Sequence, residues 1–240
     1  MNPSNDLAAA IEDLVAANRI LAGLGVLDGF GHVSARHPAR SDRYLLSRSL
    51  APALVAAGDL MTFDLDSNPL DGDDRRPYLE RFIHGAIYAR RPDVMAVVHS
   101  HSPSVIPFAA SSVPLRPVYH MASFISAAAR VFEIRERFGT TDMLVRNVAQ
   151  GSALAEALGE DAIVLMRGHG FCAVAESLPV VVFRAVYTET NAALQQRAIG
   201  LGGSVTYLDE GESMLSEKTN RGVVERPWNL WKERFNQPPW

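Results

Sequence analysis

A three-layer αβα domain is what this chain predicts, on three observations. Helix-like and strand-like apolar stretches alternate along it, no repeat or interdomain linker divides it, and 240 residues is the size of one domain or at most two small ones. Hydrophobic residues make up 48% and charged residues 21%, a globular balance that excludes wholesale disorder. A chain of this length buries roughly 70% of its unfolded surface and needs no covalent staples.

The elements follow in order. Leu7, Ile11, Leu14, Val15 and Leu21 share one helical face, with Asn5 or Asp6 as cap and Gly23 and Gly25 as terminators. Gly29 to Pro38, GFGHVSARHP, reads as a loop leading into a strand. Tyr44 to Leu46 and Leu60 to Phe63 read as short strands. Pro77 opens a helix over 78–91 whose buried face carries Phe82, Ile83, Ala86 and Ile87, and Pro92 ends it. Val94 to Val98 reads as a buried strand running into His99-Ser100-His101. Pro103 starts a short helix, and Leu144 to Leu158 reads as a longer one. Ala162 to Met166 and Phe171 to Val174 are strands joined by Arg167-Gly168-His169-Gly170. Ser177 caps a long helix over 178–199 with Pro179 in its first turn. The polar stretch 209–240 holds all three tryptophans, Trp228, Trp231 and Trp240, so it is expected to pack as a tail on its own subunit or a neighbour.

Several functions are disfavoured at once. Cys172 is the single cysteine, which excludes an intramolecular disulfide and a cysteine zinc cage. The net charge is −4 without a basic stretch, which argues against a nucleic-acid surface. MNPSNDLAAAIEDL lacks the basic and apolar segments of a signal peptide, and no apolar run reaches the ~18 residues of a membrane span. A cytoplasmic protein is expected.

Among the seven histidines, His99 and His101 stand two apart at a strand end. Residues two apart in an extended segment face the same side, so two imidazoles can converge on one metal, or can simply be two polar residues at an edge. His169, between glycines that permit a tight turn, is either part of that turn or a distant third ligand. Three histidines would leave an open metal position, the arrangement of a catalytic site. Glu80, near the start of a helix, either complements the helix dipole or faces a metal as acid or base.

The order GFGHVSAR, a glutamate opening a helix, VVHSHS, then GHG resembles the class II aldolase/adducin family over about residues 6–202. The resemblance implies a three-layer αβα sandwich with a mixed, largely antiparallel central sheet, and a catalytic domain over 1–208. It implies His99, His101 and His169 as ligands of one divalent ion per subunit, usually zinc, and Glu80 as the acid/base. It also implies a homotetramer with active sites between subunits.

The chain departs from the sugar-phosphate aldolases of that family at three places. Their glycine-asparagine pair is Gly31-His32 here, their Thr-Pro-Ser/Thr-Gly loop is Leu46-Ser47-Arg48-Ser49, and their serine pair before the glutamate is Tyr78-Leu79. Small donors are lost, and Leu79 has no side-chain donor for a phosphate. Arg48 offers a planar fork suited to a carboxylate, with Ser47 and Ser49 beside it. His32 can bind a hydroxyl or carboxylate or supply a proton, unless it only holds its loop. Tyr119-His120 can reach a neighbouring site, unless it is simple packing. His37 and His84 suggest no role, and His84 is expected at the surface.

The block SRSLAP…RPYLERFIHGAIYARRPDVMAVVHSHSPSVIPF resembles the decarboxylase branch, which includes pyridine-dicarboxylate and dihydroxyphthalate decarboxylases. The resemblance therefore implies a metal-dependent decarboxylase of a hydroxylated aromatic carboxylate, with zinc or manganese as its ion. The second reading is an aldolase or epimerase acting on a hydroxy-carbonyl compound. A noncatalytic scaffold fits an intact histidine set poorly.

Overall fold

A computed structural model describes residues 3–70, 72–125 and 127–235. The elements run α1 (Pro3–Gly23), β1 (His32–Arg36), β2 (Arg43–Ser47), β3 (Leu60–Asp64), α2 (Phe82–Arg90), β4 (Ala96–Ser100), α3 (Ile106–Ala109) and β5 (Arg130–Phe132). There follow α4 (Arg135–Phe138), α5 (Val148–Leu158), β6 (Ile163–Met166), β7 (Gly170–Ala175), α6 (Leu178–Gly200), α7 (Glu210–Arg221) and α8 (Glu225–Phe235).

The strands form one seven-stranded sheet in the order β3-β2-β1-β4-β7-β6-β5. Every neighbouring pair is antiparallel except β5 with β6. Side chains alternate between two cores, as the pleat requires. Ala96 and Val98 of β4 and Phe171 and Ala173 of β7 join the core beneath α1, α6 and α8. Val97 of β4 and Cys172 and Val174 of β7 join the opposite core, beneath α2 and α5. Helices thus cover both faces of a mixed sheet, the αβα sandwich expected from the sequence.

Local chemistry accounts for most boundaries. Ser177 Oγ accepts from the Val180 N–H to start α6, and Asn147 Oδ1 accepts from the Gln150 N–H to start α5. That cap places the start of α5 at Val148, four residues after the expected Leu144. The helix expected over 78–91 is regular only from Phe82, because Leu79–Arg81 form a 3-10 turn in which Glu80 has φ −93° and ψ 18°. The short helix expected from Pro103 begins at Ile106. Strand β5 was not expected; two of its three side chains are exposed, so it lacks a strand's apolar signature.

The stretch read as a tail is helical. Asp209 and Glu212 form a reciprocal capping box at the start of α7. In α8, Trp228 and Trp231 lie three apart on one face and are buried in the core shared with α1 and α6. Lys232 Nζ donates to Asp13 Oδ1 of α1 at 2.8 Å. Trp240 lies outside the described residues.

Candidate metal centre and active site

The site forms where β1, β4 and the β6–β7 turn meet the segment before α2. His32 pairs in register with His99, and His99 with Cys172 on the other side. His99 alternates with Val98, so it faces the α2/α5 side of the sheet. The Arg167–Gly170 turn brings His169 back over the end of β4. Gly168 has φ +63°, and a Cβ at Gly170 would run into the Ser100 carbonyl oxygen, so glycine is required beside the ligand strand.

Glu80, His99, His101 and His169 each present a donor atom, all within 4.8 Å of one another. His101 Nε2 is 3.1 Å from His99 Nε2 and 3.2 Å from His169 Nε2. Glu80 Oε2 is 3.3 Å from His169 Nε2 and 3.6 Å from His99 Nε2. The opposite ring nitrogens are all occupied. His99 Nδ1–H donates to the Phe171 carbonyl at 3.2 Å, and His169 Nδ1–H to the Met143 carbonyl at 3.0 Å. His101 Nδ1–H donates to Asp28 Oδ2 at 3.2 Å. With the proton on Nδ1, each imidazole turns an Nε2 lone pair inward, and three lone pairs at this spacing repel unless a cation lies among them. Two nitrogens bound to one zinc at ~2.1 Å lie roughly 3.4 Å apart, close to the observed separations. The donor set therefore fits a divalent ion, with outer partners that fix each ring.

Glu80 is held from behind: its Oε1 accepts from the Val145 N–H at 2.9 Å. Burial raises its pKa, but the adjacent His169 and His99 outweigh this and hold it well below the usual carboxylate range. Its position in a 3-10 turn replaces the expected first turn of a helix, so a helix dipole does not account for it. Burial lowers His99, only partly opposed by Glu80, whereas Glu80 wins over burial at His169 and raises it. Cys172 Sγ is 3.6 Å from His99 Nδ1, the nitrogen turned away from the cluster, and burial pushes its thiol up. It lies behind the site.

His32 is 2% exposed, its ring 5.1 Å from that of His99 and 4.6 Å from that of Tyr78. The expectation of a surface His84 is wrong: His84 is fully buried and lies 2.7 Å from His32 Nδ1 through its Nε2. Spacing from Glu80 marked the helical face but not what covers it. Burial pushes His84 down to about 3, helped by the charge of His99, and pushes His32 well below its ordinary value.

The other candidates scatter. Ser47 is buried and its Oγ donates to the Tyr78 hydroxyl at 3.1 Å, so it reaches His32 only through Tyr78. Arg48 is tied through Nε to Asp59 Oδ1 at 2.7 Å with its side chain 40% exposed, and among the described residues its two terminal nitrogens have no hydrogen-bond partner. Ser49 is exposed. Tyr119 packs against Tyr187 of α6, and the His120 carbonyl accepts from Asn220 Nδ2 of α7 at 2.9 Å. Among the described residues, no hydrogen bond or ring contact joins Tyr119 or His120 to the four-residue cluster. A cleft of about 500 Å³ between the end of α6 and residues 203–206 includes Tyr119 but none of the four donors.

Sequence reasoning missed Asp28, whose Oδ1 accepts from the Phe30 and Gly31 N–H groups while Oδ2 holds His101. The DGFG turn was a signal for the first half of that role. The Phe171 and Met143 carbonyls and the Val145 N–H carry no side-chain signal.

Residues 12–196 match the model of the Class II Aldolase and Adducin N-terminal domain. The chain belongs to this family. It is 35% identical to the decarboxylase TropJ of Talaromyces stipitatus, over 92% of each chain. It is 32% identical to a 3,4-dihydroxyphthalate decarboxylase of Arthrobacter keyseri, over 95% of this chain and 93% of that one. Among solved structures, an L-fuculose 1-phosphate aldolase from Glaciozyma antarctica superposes with a TM-score of 0.80 at 21% identity, covering 99% of this chain and 94% of that one. Decarboxylase and aldolase relatives together indicate a lyase, in a family whose class II aldolases are metal-dependent. No helix among the described residues is long and apolar enough to cross a membrane.

Proposed function

We propose that this chain is a divalent-metal-dependent decarboxylase of hydroxylated aromatic carboxylates, with dicarboxylates as preferred substrates. One observation carries the reading: a cluster of three inward-facing Nε2 atoms and Glu80 has a buried imidazole, His32, beside it on the neighbouring strand. An electrophile and a proton-handling pair thus share one face. The relatives TropJ and 3,4-dihydroxyphthalate decarboxylase support the substrate class.

His99, His101 and His169 would hold the ion, which when bound supplies Lewis acidity to substrate oxygen. Three neutral imidazoles suit zinc, and added oxygens from Glu80 and substrate would also suit manganese. Glu80 takes the proton of the ring hydroxyl adjoining the departing carboxylate. A proton then enters the ring at the carbon bearing that carboxylate, and the hydroxyl oxygen becomes a ketone. The substrate is now a β-keto acid. Its C–C bond breaks, carbon dioxide leaves, and the bonding pair returns to the ring and its oxygen as a phenolate. Glu80 or His32 would supply the ring proton. Arg48, through its free terminal nitrogens, would hold the carboxylate that stays, between Ser47 and Ser49.

The chain would act as a cytoplasmic homotetramer. Tyr119 and His120, remote from their own cluster, would complete a neighbouring subunit's site, and light scattering that returns a fully active monomer would end that part of the proposal. The central test is carbon dioxide release from a panel of hydroxylated aromatic dicarboxylates, with metal content measured on the same preparation. Release that tracks metal content supports the reading. Rapid cleavage of sugar phosphates with no decarboxylation replaces it with the aldolase or epimerase reading.

A further inference from the structure

Behind His32 runs a buried hydrogen-bonded chain that the ligand set does not use. Ser34 follows His32 by two on β1, and Tyr88 follows His84 by four on α2, so each pair shares a face of its element. The two faces interleave. His32 Nδ1 is 2.7 Å from His84 Nε2, His84 Nδ1 is 2.6 Å from Ser34 Oγ, and Ser34 Oγ is 2.8 Å from the Tyr88 hydroxyl. No member is more than 2% exposed.

Each link holds one proton, and His84 sets the direction. If His32 donates to His84, then His84 Nδ1–H must donate to Ser34 Oγ, and one hydroxyl proton, that of Tyr88 or of Ser34, is left buried without an acceptor among the described residues. That carries the full desolvation cost of an unmade donor. If Tyr88 donates to Ser34, the proton order closes: Ser34 donates to His84 Nδ1, and His84 Nε2–H donates to His32 Nδ1. The one unmade donor then moves to His32 Nε2–H, at the end of the chain beside His99, where a substrate oxygen or water can accept it.

We propose that Tyr88, Ser34 and His84 are positioning residues that lock His32 in the Nε2–H form, making it a hydrogen-bond donor to a substrate oxygen and not a base. This rests on the decarboxylase reading above and deepens it, because it divides the labour between His32 and Glu80. For neutral His32 to give up its Nε2 proton, every link must shift by one proton and Tyr88 must end as a phenolate. Burial pushes that phenol well above its ordinary value, which opposes the shift. Proton traffic therefore falls to Glu80. It takes the hydroxyl proton and returns it to the ring carbon, while His32 holds oxygen on which charge develops.

The test is the ¹⁵N spectrum of histidine-labelled protein, metal-free and zinc-loaded, with the His32 signals identified by their loss in His32→Gln. The expected result is a protonated Nε2 and a bare Nδ1 at His32. His84→Met removes the donor and should abolish the single tautomer, leave zinc stoichiometry unchanged and reduce kcat/KM about tenfold or more. His84→Gln keeps an N–H for His32 Nδ1 and should restore the tautomer and most of the rate. A wild-type His32 protonated on Nδ1, or a tautomer unmoved by His84→Met, overturns the proposal. Failure of the decarboxylase reading is separate: it would appear as no carbon dioxide from any hydroxy-aromatic acid, whatever the tautomer.

Discussion

Cutting the tether between Asp28 and His101 should weaken metal binding about tenfold. His99 and His169 are anchored to main-chain carbonyls that no side-chain substitution removes, so Asp28 is the place where an outer partner can be lost without touching a ligand. Loss of such a partner usually costs 10–100-fold in affinity, as order-of-magnitude values. The low end applies here. The contact is 3.2 Å, long for a charge-assisted hydrogen bond, and the Asp28 side chain is 48% exposed, so solvent screens it. Tenfold corresponds to ~1.4 kcal/mol. Asp28→Ala also frees the Phe30 and Gly31 N–H groups, whereas Asp28→Asn can keep an oxygen for them and offers His101 a donor where it needs an acceptor. Both variants should therefore lose affinity, which separates the His101 tether from the loop. Competition with a chromogenic chelator at neutral pH gives the Kd, and the deficit should shrink in high salt. Unchanged Kd in both variants at low salt would refute the reasoning.

Single His99→Ala, His101→Ala and His169→Ala variants should each lose most of the bound metal while the fold survives, and full occupancy in two of them by elemental analysis would contradict the ligand assignment. Glu80→Gln should keep the metal and lose about 100-fold or more in carbon dioxide release, within the range for positioned proton transfer. Arg48→Ala should weaken a dicarboxylate by ~1.5 kcal/mol, the low end for a charge-assisted bond because the side chain is 40% exposed, with little effect on a matched monocarboxylate in paired KM measurements. Stability of the metal-free protein should rise with pH between about 5 and 6.5. A histidine lowered on folding binds its proton in the unfolded chain first, so His84, at about 3, contributes up to ~1.4 kcal/mol per pH unit across that window. His32 and His99 act in the same direction. Urea unfolding of His84→Gln should show a shallower slope, and an unchanged slope would mean that His84 is not buried neutral.

The three clustered histidines were legible as candidates because part of their signal is local, two at strand spacing and a third between glycines whose φ and close approach the turn demands, but local spacing left each open and the family resemblance joined them. Caps such as Ser177 were legible for the same reason. Glu80 was legible as a candidate only, since its 3-10 turn and its hold on the Val145 N–H depend on a segment 65 residues away. His84 failed because burial of a polar residue depends on partners contributed by another element, here Ser34 and His32 of β1. The polar composition of 209–235 hid two helices because only a narrow stripe of α8 carries the aromatic payload.

The four clustered donors and the positions that depart from the sugar-phosphate pattern lie largely on different segments of one frame. The three imidazoles come from the end of β4 and the β6–β7 turn, and two are anchored to main chain, so substitutions elsewhere leave them in place. The departures from the sugar-phosphate pattern fall instead on β1, the end of β2 and the segment before α2. Those positions are coupled: Ser47 bonds Tyr78, Tyr78 packs on His32, and His32 pairs in register with His99. Exchanging His32 alone for a smaller side chain would cost His84 Nε2 its partner and Tyr78 its ring contact. The three places therefore form one connected unit, and all three differ here from the sugar-phosphate pattern.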